Sequence, residues 1–303
     1  MTAGVSFVVT VYNKAAYLPR VAEALFAQEG DFEREIIFVD DGSTDGSGAL
    51  LDEFCAGKKD IRVIHQKNAG LVSASNAGAR AARYQWLKLV DGDDVLAPWC
   101  AEVLLDAAGR LDAKIALGTI APYTFGKPVA FGALDPAQTA PHRRDLFAEC
   151  LRNVPCNLSP MLIDRQLFWE VGGADPRLTV VDLLLMLRLS WKHTVAAIVA
   201  PVCACPQGRG GRMSDDVRHM LFETNRAMLY FLTETPQLPW RMRHLALERA
   251  FARAWKWQRR HLGATFASRW FWLYALAKLG PPGLAAPFLA STLDAFAEPL
   301  TGG

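Results

Sequence analysis

The chain has 303 residues, enough for one large domain or for a domain with a sizeable appendage. Hydrophobic residues make up 51% and charged residues 21%, a balance that supports a folded core and excludes global disorder. The formal net charge is only +2, from 33 basic and 31 acidic side chains, so we expect no nucleic-acid partner.

The N-terminal apolar run does not resemble a signal peptide, because no basic segment precedes it and the polar Thr10 ends it. No stretch reaches the roughly 18 uncharged apolar residues of a membrane-spanning helix, and Lys278 divides the nearest candidate. We therefore expect a cytoplasmic location, where thiols stay reduced. The six cysteines are predicted to be buried thiols, at Cys55, Cys100, Cys150, Cys156, Cys203 and Cys205.

Strands and helices alternate through the first 110 residues. Apolar, β-branched runs predict strands at Val5–Val11, Glu35–Val39, Ile61–His65 and Trp86–Val90. Helical spacing of apolar residues predicts helices at Ala16–Gln28, Thr44–Cys55, Leu71–Ala82 and Pro98–Arg110. Repeated strand–helix units predict an α/β fold with a mostly parallel sheet covered on both faces.

The remainder is less regular and ends in a helical region. We predict a strand at Ala113–Ala121, a loop at Pro122–Pro141, a helix at Arg143–Arg152, a strand at Asn157–Ile163, a helix at Val180–Lys192 and a strand at Val195–Val202. After Ser214 the chain reads as helical, basic and aromatic. These changes predict a domain over residues 1–210, with halves 1–112 and 113–210, and a helical region over 211–303.

Polar side chains stand where the predicted strands end, which is where parallel sheets bind ligands. Asp40 follows the second strand, and its ionised carboxylate suits the imide N–H of a uracil base. Tyr12 could stack on that base, and Thr10 could bind its edge. The alternative is an ordinary strand-to-helix turn in which Ser43 or Thr44 caps the next helix.

The turn Asp91-Gly92-Asp93-Asp94 follows the fourth strand. Carboxylates this crowded repel one another, so a divalent cation at this turn would relieve the conflict. Mg²⁺ favours carboxylate and phosphate oxygens, and Mn²⁺ accepts similar ligands. The alternative is a solvated acidic turn without a ligand.

Four segments stand in order and resemble the family 2 glycosyltransferases of GT-A fold. They are Val8-Val9-Thr10-Val11-Tyr12-Asn13, Val39-Asp40-Asp41-Gly42-Ser43-Thr44-Asp45-Gly46-Ser47, Asn68-Ala69-Gly70 and Leu89-Val90-Asp91-Gly92-Asp93-Asp94. The resemblance is strong over residues 5–95 and weaker at Val171–Asp175 and Asp182–Arg188. It implies a Rossmann-like GT-A domain and an inverting, metal-dependent enzyme that uses a nucleotide sugar.

The resemblance also assigns roles to single residues. The nucleotide-binding residues it implies are Thr10, Tyr12, Asp40, Asn68 and Asp91, the last near the ribose. It makes Asp93 the ligand of Mn²⁺ or Mg²⁺.

The general base that the resemblance implies is Asp182, which heads an apolar helix ending in Arg188. Two positions depart from the family: Val181 replaces an acidic neighbour of the base, and Ser75 replaces an arginine of the third helix. The alternative role of Asp182 is an N-cap that starts the helix, and one residue could serve in both roles.

The expected reaction moves a sugar from a UDP-sugar to a hydroxyl on a glycan, lipid-linked or protein acceptor, with cell-envelope or polysaccharide synthesis as one setting. The alternatives are a non-catalytic nucleotide-sugar binding module, which the two departures favour, and a sugar nucleotidyltransferase. The last normally carries a Gly-rich, basic triphosphate loop, which Val11-Tyr12-Asn13-Lys14 is not.

Two basic segments carry further hypotheses. Arg209 and Arg212 lie in a Gly-rich run that could close over a diphosphate or form a solvated loop. The Trp- and Arg-rich helices after residue 215 could make peripheral contact with the inner face of a membrane, or could be packing helices with basic outer faces.

Overall fold

The computed structural model describes residues 3–152, 157–207, 215–281 and 283–297. The chain folds as two compact units. The first comprises Met1–Asp145, Cys156–Leu185 and Leu189–Arg209, and the second comprises Leu146–Pro155, Met186–Arg188 and Gly210–Gly303. The division of residues 1–210 into nucleotide-binding and acceptor halves stays a prediction.

The first unit is built on a sheet. Its strands are β1 (Gly4–Val11), β2 (Glu33–Asp40), β3 (Ile61–His65), β4 (Trp86–Asp91), β5 (Val95–Leu96), β6 (Ile115–Thr124), β7 (His142–Arg144), β8 (Met161–Asp164) and β9 (Val195–Gln207). The helices between them are α1 (Leu18–Phe26), α2 (Ser47–Cys55), α3 (Leu71–Ala81), α4 (Cys100–Leu111), α5 (Pro136–Thr139) and α7 (Arg165–Glu170).

Within the described residues the strands form one sheet in the order β3-β2-β1-β4-β8-β6-β9-β5, and β7 also pairs with β9. The four strands β3, β2, β1 and β4 run parallel to one another. β8 is antiparallel to both β4 and β6, while β6 and β9 are parallel. The predicted α/β architecture with a mostly parallel sheet is confirmed.

The central strand β1 is buried on both faces, as expected for a parallel strand covered by helices. Phe7 and Val9 belong to a core that also includes Leu18 and Leu25 of α1. Gly78 of α3 lies so close to Val8 that a Cβ there would overlap the valine side chain. The small residues of α3 therefore let this helix lie directly on the sheet.

Four predicted elements in the middle of the chain have wrong boundaries. The predicted loop at Pro122–Pro141 contains the end of β6 and the short α5, and the predicted strand at Val195–Val202 continues to Gln207. These two strand ends pair with each other, Thr124 opposite Gln207, with register shifts near Thr119. Prolines normally interrupt strands, so the sequence did not indicate this extension.

The predicted helix at Arg143–Arg152 begins only at Leu146, because residues 142–144 pair with the edge of β9. The predicted strand at Asn157–Ile163 begins only at Met161, and a turn precedes it. Edge pairing depends on residues about fifty positions away, which no local pattern records.

The second unit is helical, as predicted for the C-terminal region. It contains α6 (Leu146–Arg152), α9 (Val217–Glu234), α10 (Trp240–His261), α11 (Arg269–Leu279), a 3₁₀ helix (Ala286–Leu293) and α12 (Asp294–Ala297). The helix α8 (Asp182–Ser190) begins and ends in the first unit, and residues 186–188 belong to the second. Trp255, Trp257, Trp270 and Phe296 form a core of the second unit. None of the described helices is both long enough and apolar enough to cross a membrane.

Candidate active site

The ends of three neighbouring strands bring predicted site residues together. In the register of the sheet, Thr10 of β1 lies opposite Asp91 of β4, and Val11 lies opposite Asp40 of β2. The ladder continues past the strands, since Gly92 N donates to Thr10 O at 2.9 Å. Thr10, Asp40 and Asp91 therefore share one edge of the sheet, as the sequence predicts.

Tyr12 lies on a loop that is fixed on both sides of it. Asn13 adopts a positive φ of 54°, a conformation that asparagine tolerates better than most residues. Its backbone N donates to Ser43 Oγ at 3.0 Å, and Thr44 N donates to Asn13 Oδ1 at 2.8 Å. The Tyr12 side chain remains 49% exposed. A fixed backbone and an exposed ring suit stacking on a planar group.

Asp40 is buried and held as an ionised acceptor. Burial opposes ionisation, but hydrogen bonds from Ser43 and His65 outweigh it and lower the pKa of Asp40. Ser43 N donates to Asp40 Oδ1 at 3.0 Å, and His65 Nδ1 lies 3.0 Å from Oδ2. Hydrogen bonds to Asp40 and Asp52 raise the pKa of His65, although partial burial opposes this. Asp40 therefore organises the turn after β2 and keeps a negative charge at the predicted base pocket. The predicted capping of the next helix by Ser43 or Thr44 is wrong, because the N-cap of α2 is Gly46 and no side chain caps it.

The sequence interpretation missed the structural role of Asp41. This buried carboxylate accepts hydrogen bonds from Gln66 Nε2 at 2.7 Å and from the backbone N atoms of Ala69 and Gly70, both at 2.9 Å. It thereby fixes the loop that carries Asn68, whose side chain is exposed. Gly42 meets this loop with a φ of +74°, and a Cβ there would lie 2.8 Å from Asn68 N.

The acidic turn after β4 is tied to the loop after β1. Lys14 Nζ lies 2.6 Å from Asp93 Oδ2, in an ion pair whose acidic partner is almost wholly buried. Tyr123 Oη donates to the backbone O of Asp93 at 2.8 Å. Neither Lys14 nor Tyr123 was among the predicted site residues. Lys14 directly follows the Tyr12-Asn13 motif, which was the available signal.

A second turn, at residues 157–160, supports the acidic turn from the other side. Asn157 Nδ2 donates to Asp94 Oδ2 at 3.0 Å, and Ser159 Oγ accepts from Asp91 N at 3.2 Å. The wholly buried Lys88 donates to the backbone O atoms of Ser159 and Met161. These contacts fix the positions of the carboxylates without neutralising them.

The acidic turn carries more negative charge than its surroundings compensate. Burial and the charges of Asp94, Asp93 and Asp182 raise the pKa of Asp91 well above its usual range, while Lys14 opposes the shift. Burial also raises the pKa of Asp94, although hydrogen bonds from Ser159 and Asn157 oppose this. Oδ1 of Asp94 is buried without a hydrogen-bond partner among the described residues. Such a cluster favours protonation or the arrival of a cation.

The acidic turn fits a divalent cation that the substrate helps to hold. Its donors are hard carboxylate oxygens, and its negative charge is in excess. In the described part of the chain, no group of three or more His, Cys, Asp or Glu side chains is arranged to hold a metal ion. An ion at the predicted ligand Asp93 would therefore need further oxygens, such as those of a nucleotide's phosphates.

Asp182 is the first residue of α8 and lies within electrostatic range of the acidic turn. Burial and the charge of Asp94 raise the pKa of Asp182 to about 6. Its side chain makes no hydrogen bond with any of the described residues. An acid in the first turn favours a helix through the helix dipole, so this position is compatible with either role predicted for Asp182.

The structure shows the surroundings of Val181 and Ser75, the two residues that depart from the family pattern. Val181 is 3% exposed and packs in the interior. Ser75 is buried, and its Oγ donates to Leu71 O at 2.8 Å within α3. The next residue, Asn76, donates to Ala174 O at 2.7 Å and accepts from Ala174 N at 3.0 Å. The weaker motif at Val171–Asp175 is thus attached to α3 beside the site.

Two predictions fall partly outside the described residues. Arg209, Arg212 and Cys156 all lie there, so the hypothesis of a loop closing over a diphosphate stays open. None of the described cysteines forms a disulfide, and all are buried except Cys55, which is half-buried.

Comparison with known proteins decides the family. The sequence profile of Glycosyl transferase family 2 matches residues 6–172, more than half of the chain. The chain belongs to this family. The match covers the motifs at Thr10, Asp40 and Asp91 and ends before Asp182.

Relatives with curated descriptions match the N-terminal part of this family 2 member. Glycosyltransferase GlyG of Streptococcus pneumoniae is 36% identical over 124 residues, 41% of each chain. Putative glycosyltransferase EpsH of Bacillus subtilis is 39% identical over 115 residues, which are 38% of this chain and 33% of EpsH. The matched part thus spans less than half the length of these relatives.

Solved structures resemble nearly the whole chain. The structure of S. aureus TarS 1-349 in complex with UDP-GlcNAc has a TM-score of 0.66 and 16% sequence identity, covering 96% of this chain and 89% of that one. At this identity the likeness shows the fold. The predicted GT-A arrangement with C-terminal helices is confirmed. The roles of single residues stay predictions, namely those of Thr10, Tyr12, Asp40, Asn68, Asp91, Asp93 and Asp182.

Proposed function

We propose that this family 2 member is an inverting glycosyltransferase that moves a sugar from a UDP-sugar to a hydroxyl acceptor. One observation carries the proposal: a single edge of the sheet holds an ionised Asp40 and an acidic turn with excess charge, and Asp182 of α8 lies within electrostatic range of that turn. These are the parts that binding a base, binding a diphosphate and removing a proton require.

The donor is proposed to lie across the ends of β2, β1 and β4. Asp40 accepts the imide N–H of uracil, Tyr12 stacks on the base and Thr10 binds its edge. Asn68 contacts the nucleotide from the loop that Asp41 holds, and Asp91 lies near the ribose. TarS, which shares this fold, is described in complexes with UDP and with UDP-GlcNAc, which supports a uridine nucleotide.

Asp93 would hold Mn²⁺ or Mg²⁺, which would supply positive charge beside the leaving diphosphate. The chain contributes a second cation there, because Lys14 Nζ already lies 2.6 Å from the Asp93 carboxylate. Lys14 can therefore face the diphosphate together with the acidic turn. The partly buried Asn157 and the buried Ser159 keep that turn in place during the reaction.

Asp182 is proposed as the general base. The acceptor hydroxyl oxygen attacks the anomeric carbon while its proton passes to the Asp182 carboxylate. The bond between the anomeric carbon and the diphosphate oxygen breaks, and its electron pair leaves with UDP. One such displacement inverts the anomeric centre. A pKa of about 6 places the base near neutrality, where it is ionised yet able to take a proton.

We also propose a class of acceptor and a location for the protein. A glycan, lipid-linked or protein hydroxyl in cell-envelope or polysaccharide synthesis is the acceptor we expect, because GlyG and EpsH are described as glycosyltransferases of bacteria. A cytoplasmic protein that contacts the inner face of the membrane would suit such an acceptor. The supporting observation is α11, which exposes Trp272 and Leu279, at 63% and 82%, beside Lys278.

The test is a melting-temperature screen of the full chain against UDP-, GDP-, dTDP- and CDP-sugars, with and without Mn²⁺. A ligand that binds only the folded state raises the midpoint by mass action. We expect a UDP-sugar with Mn²⁺ to give the largest rise and UDP to be released when an acceptor is added. UDP-sugar binding without turnover on any acceptor would favour the non-catalytic module, and pyrophosphate release from UTP or CTP would favour the nucleotidyltransferase.

A further inference from the structure

Two arginines of α10 are partly buried without an acidic partner. Arg249 and Arg253 are one helical turn apart and so lie on the same face of the helix. Nε of Arg249 and Nη2 of Arg253 are buried and have no hydrogen-bond partner in the part of the chain that the structure describes. No ion pair joins either guanidinium to an acidic side chain of the described residues.

The Arg253 side chain is nevertheless held in one place. Its Nε donates to Asn225 Oδ1 at 2.7 Å, and Asn225 is itself wholly buried on α9. Asn225 Nδ2 donates in turn to Ala250 O at 3.1 Å, one turn from Arg253 on α10. The guanidinium is therefore oriented by the protein while its terminal donors stay unused.

Other arginines of this unit are satisfied. Arg226 pairs with Glu223 at 2.9 Å, and Arg188 pairs with Glu234 at 2.7 Å. Arg243 Nη2 donates to the backbone O atoms of Leu232 and Thr235. The lack of partners at Arg249 and Arg253 is thus a local feature, not a general property of the helical unit.

The charges around Arg249 and Arg253 increase the free-energy cost of burying their guanidinium groups. Burial and the neighbouring charge of Arg249 lower the pKa of Arg253 to about 10. Lys278 of α11 also lies within electrostatic range of Arg249, with Glu248 as the acidic group nearby. Unpaired guanidinium groups are costly away from water, and an anion with several acceptor oxygens would remove that cost.

We propose that Arg249 and Arg253 form a binding site for a phosphate group. Guanidinium N–H donors match the tetrahedral oxygens of phosphate in geometry and charge, and hydrogen bonds between two charged groups are the strong ones. The site uses no residue of the proposed donor site, so it stands or falls independently of the glycosyltransferase proposal. Its phosphate belongs either to a soluble phosphorylated compound or to a lipid headgroup.

The first arm of the test measures the melting temperature of the full chain in potassium phosphate against potassium chloride at equal ionic strength. EDTA is present so that no metal brings phosphate to the acidic turn. The variants are Arg249→Gln, which loses no hydrogen bond of the described structure, and Arg253→Lys, which keeps the charge but loses the planar donor fork. Arg260→Gln, an exposed arginine on the same helix, is the charge-matched control.

We expect phosphate to raise the melting midpoint of the native chain and of Arg260→Gln. It should bind Arg249→Gln and Arg253→Lys at least about tenfold more weakly, because each of them loses at least one charge-assisted hydrogen bond to the phosphate. Because each variant is compared with itself in chloride, a change in its own stability does not enter the result. A phosphate effect that is absent from the native chain, or equal in all variants, overturns the proposal unless the second arm identifies a lipid phosphate.

The second arm measures co-sedimentation with vesicles of phosphatidylglycerol and of phosphatidylcholine. If the phosphate belongs to a lipid headgroup, Arg249→Gln weakens binding to phosphatidylglycerol more than Arg260→Gln does. The natural ligand is soluble if Arg249→Gln and Arg260→Gln bind these vesicles equally while phosphate raises the melting temperature of Arg260→Gln but not that of Arg249→Gln. Equal behaviour of the two variants in both arms refutes a phosphate site at this pair.

Discussion

Lys14 Nζ and Asp93 Oδ2 lie 2.6 Å apart, so the residue proposed as the metal ligand already carries a salt bridge. The two residues are separated by 79 positions in sequence and meet because β1 and β4 are neighbours in the sheet. A cation arriving at Asp93 must share that carboxylate with Lys14 or displace it. This relationship makes metal binding at Asp93 directly testable.

Asp93→Asn should abolish the metal-dependent part of UDP binding and leave the fold intact. A neutral amide no longer attracts Mn²⁺, and the freed Lys14 is partly exposed, so the cost in folding free energy should be about 1 kcal/mol. Calorimetric titration of UDP with and without Mn²⁺ measures the effect. Asp106→Asn, which alters a surface pair with Arg110, is the control. Unchanged UDP affinity with Mn²⁺ in Asp93→Asn would count against the metal assignment.

Asp182→Asn should keep donor binding and lose turnover by about 10²–10⁴, the usual value of a general base. The same variant should be more stable than the native chain at neutral pH. The pKa of Asp182 rises from 3.8 to about 6 on folding, which at about 1.36 kcal/mol per unit is a cost of roughly 3 kcal/mol for the ionised form. A residue that served only as an N-cap would give no such gain in stability, since asparagine caps a helix about as well as aspartate does.

The sign of this effect follows from proton linkage. A folded pKa above the unfolded value means that the folded state binds the proton more tightly between about pH 4 and pH 6. Native stability therefore falls as pH rises through that window, and the advantage of Asp182→Asn grows there and is constant above it. Denaturant midpoints at pH 4, 5, 6 and 7 measure this. A variant that gains no stability at pH 7 and still turns over would leave Asp182 as a helix-starting residue only.

The strand-end residues were predictable, and their partners were not. Thr10, Asp40 and Asp91 each lie at the end of an apolar run, and the carboxyl ends of parallel strands lie at one edge of the sheet in any strand order. Lys14, His65 and Asn157 contribute through contacts with residues 79, 25 and 63 positions away. No helical or strand periodicity records such contacts, because they depend on which strands become neighbours.

Asp94→Asn should shift the pH dependence of turnover. The rate of the native enzyme should fall on acidification through about pH 6 as Asp182 takes up a proton. The charge of Asp94 contributes to that high pKa, so its removal should move the acid limb of the profile to lower pH. The measurement is kcat against pH at saturating donor, metal and acceptor. An acid limb that does not move in Asp94→Asn would show that burial alone sets the pKa of Asp182.

The last prediction concerns the exposed face of α11 and its binding to a membrane surface. Trp272 and Leu279 lie exposed beside Lys278, an arrangement in which apolar side chains enter a bilayer surface while a cation meets anionic headgroups. The double variant Trp272→Ser, Leu279→Ser should release the protein from anionic vesicles, while UDP affinity stays unchanged because neither residue belongs to the proposed donor site. Native binding should also weaken with salt, since each basic residue near the surface adds about 1 kcal/mol that ions screen. Val199→Ser, which alters an apolar residue of β9 that is 54% exposed, is the control. Native protein that stays in the supernatant at low salt would make this face a packing or assembly surface and would favour a soluble acceptor.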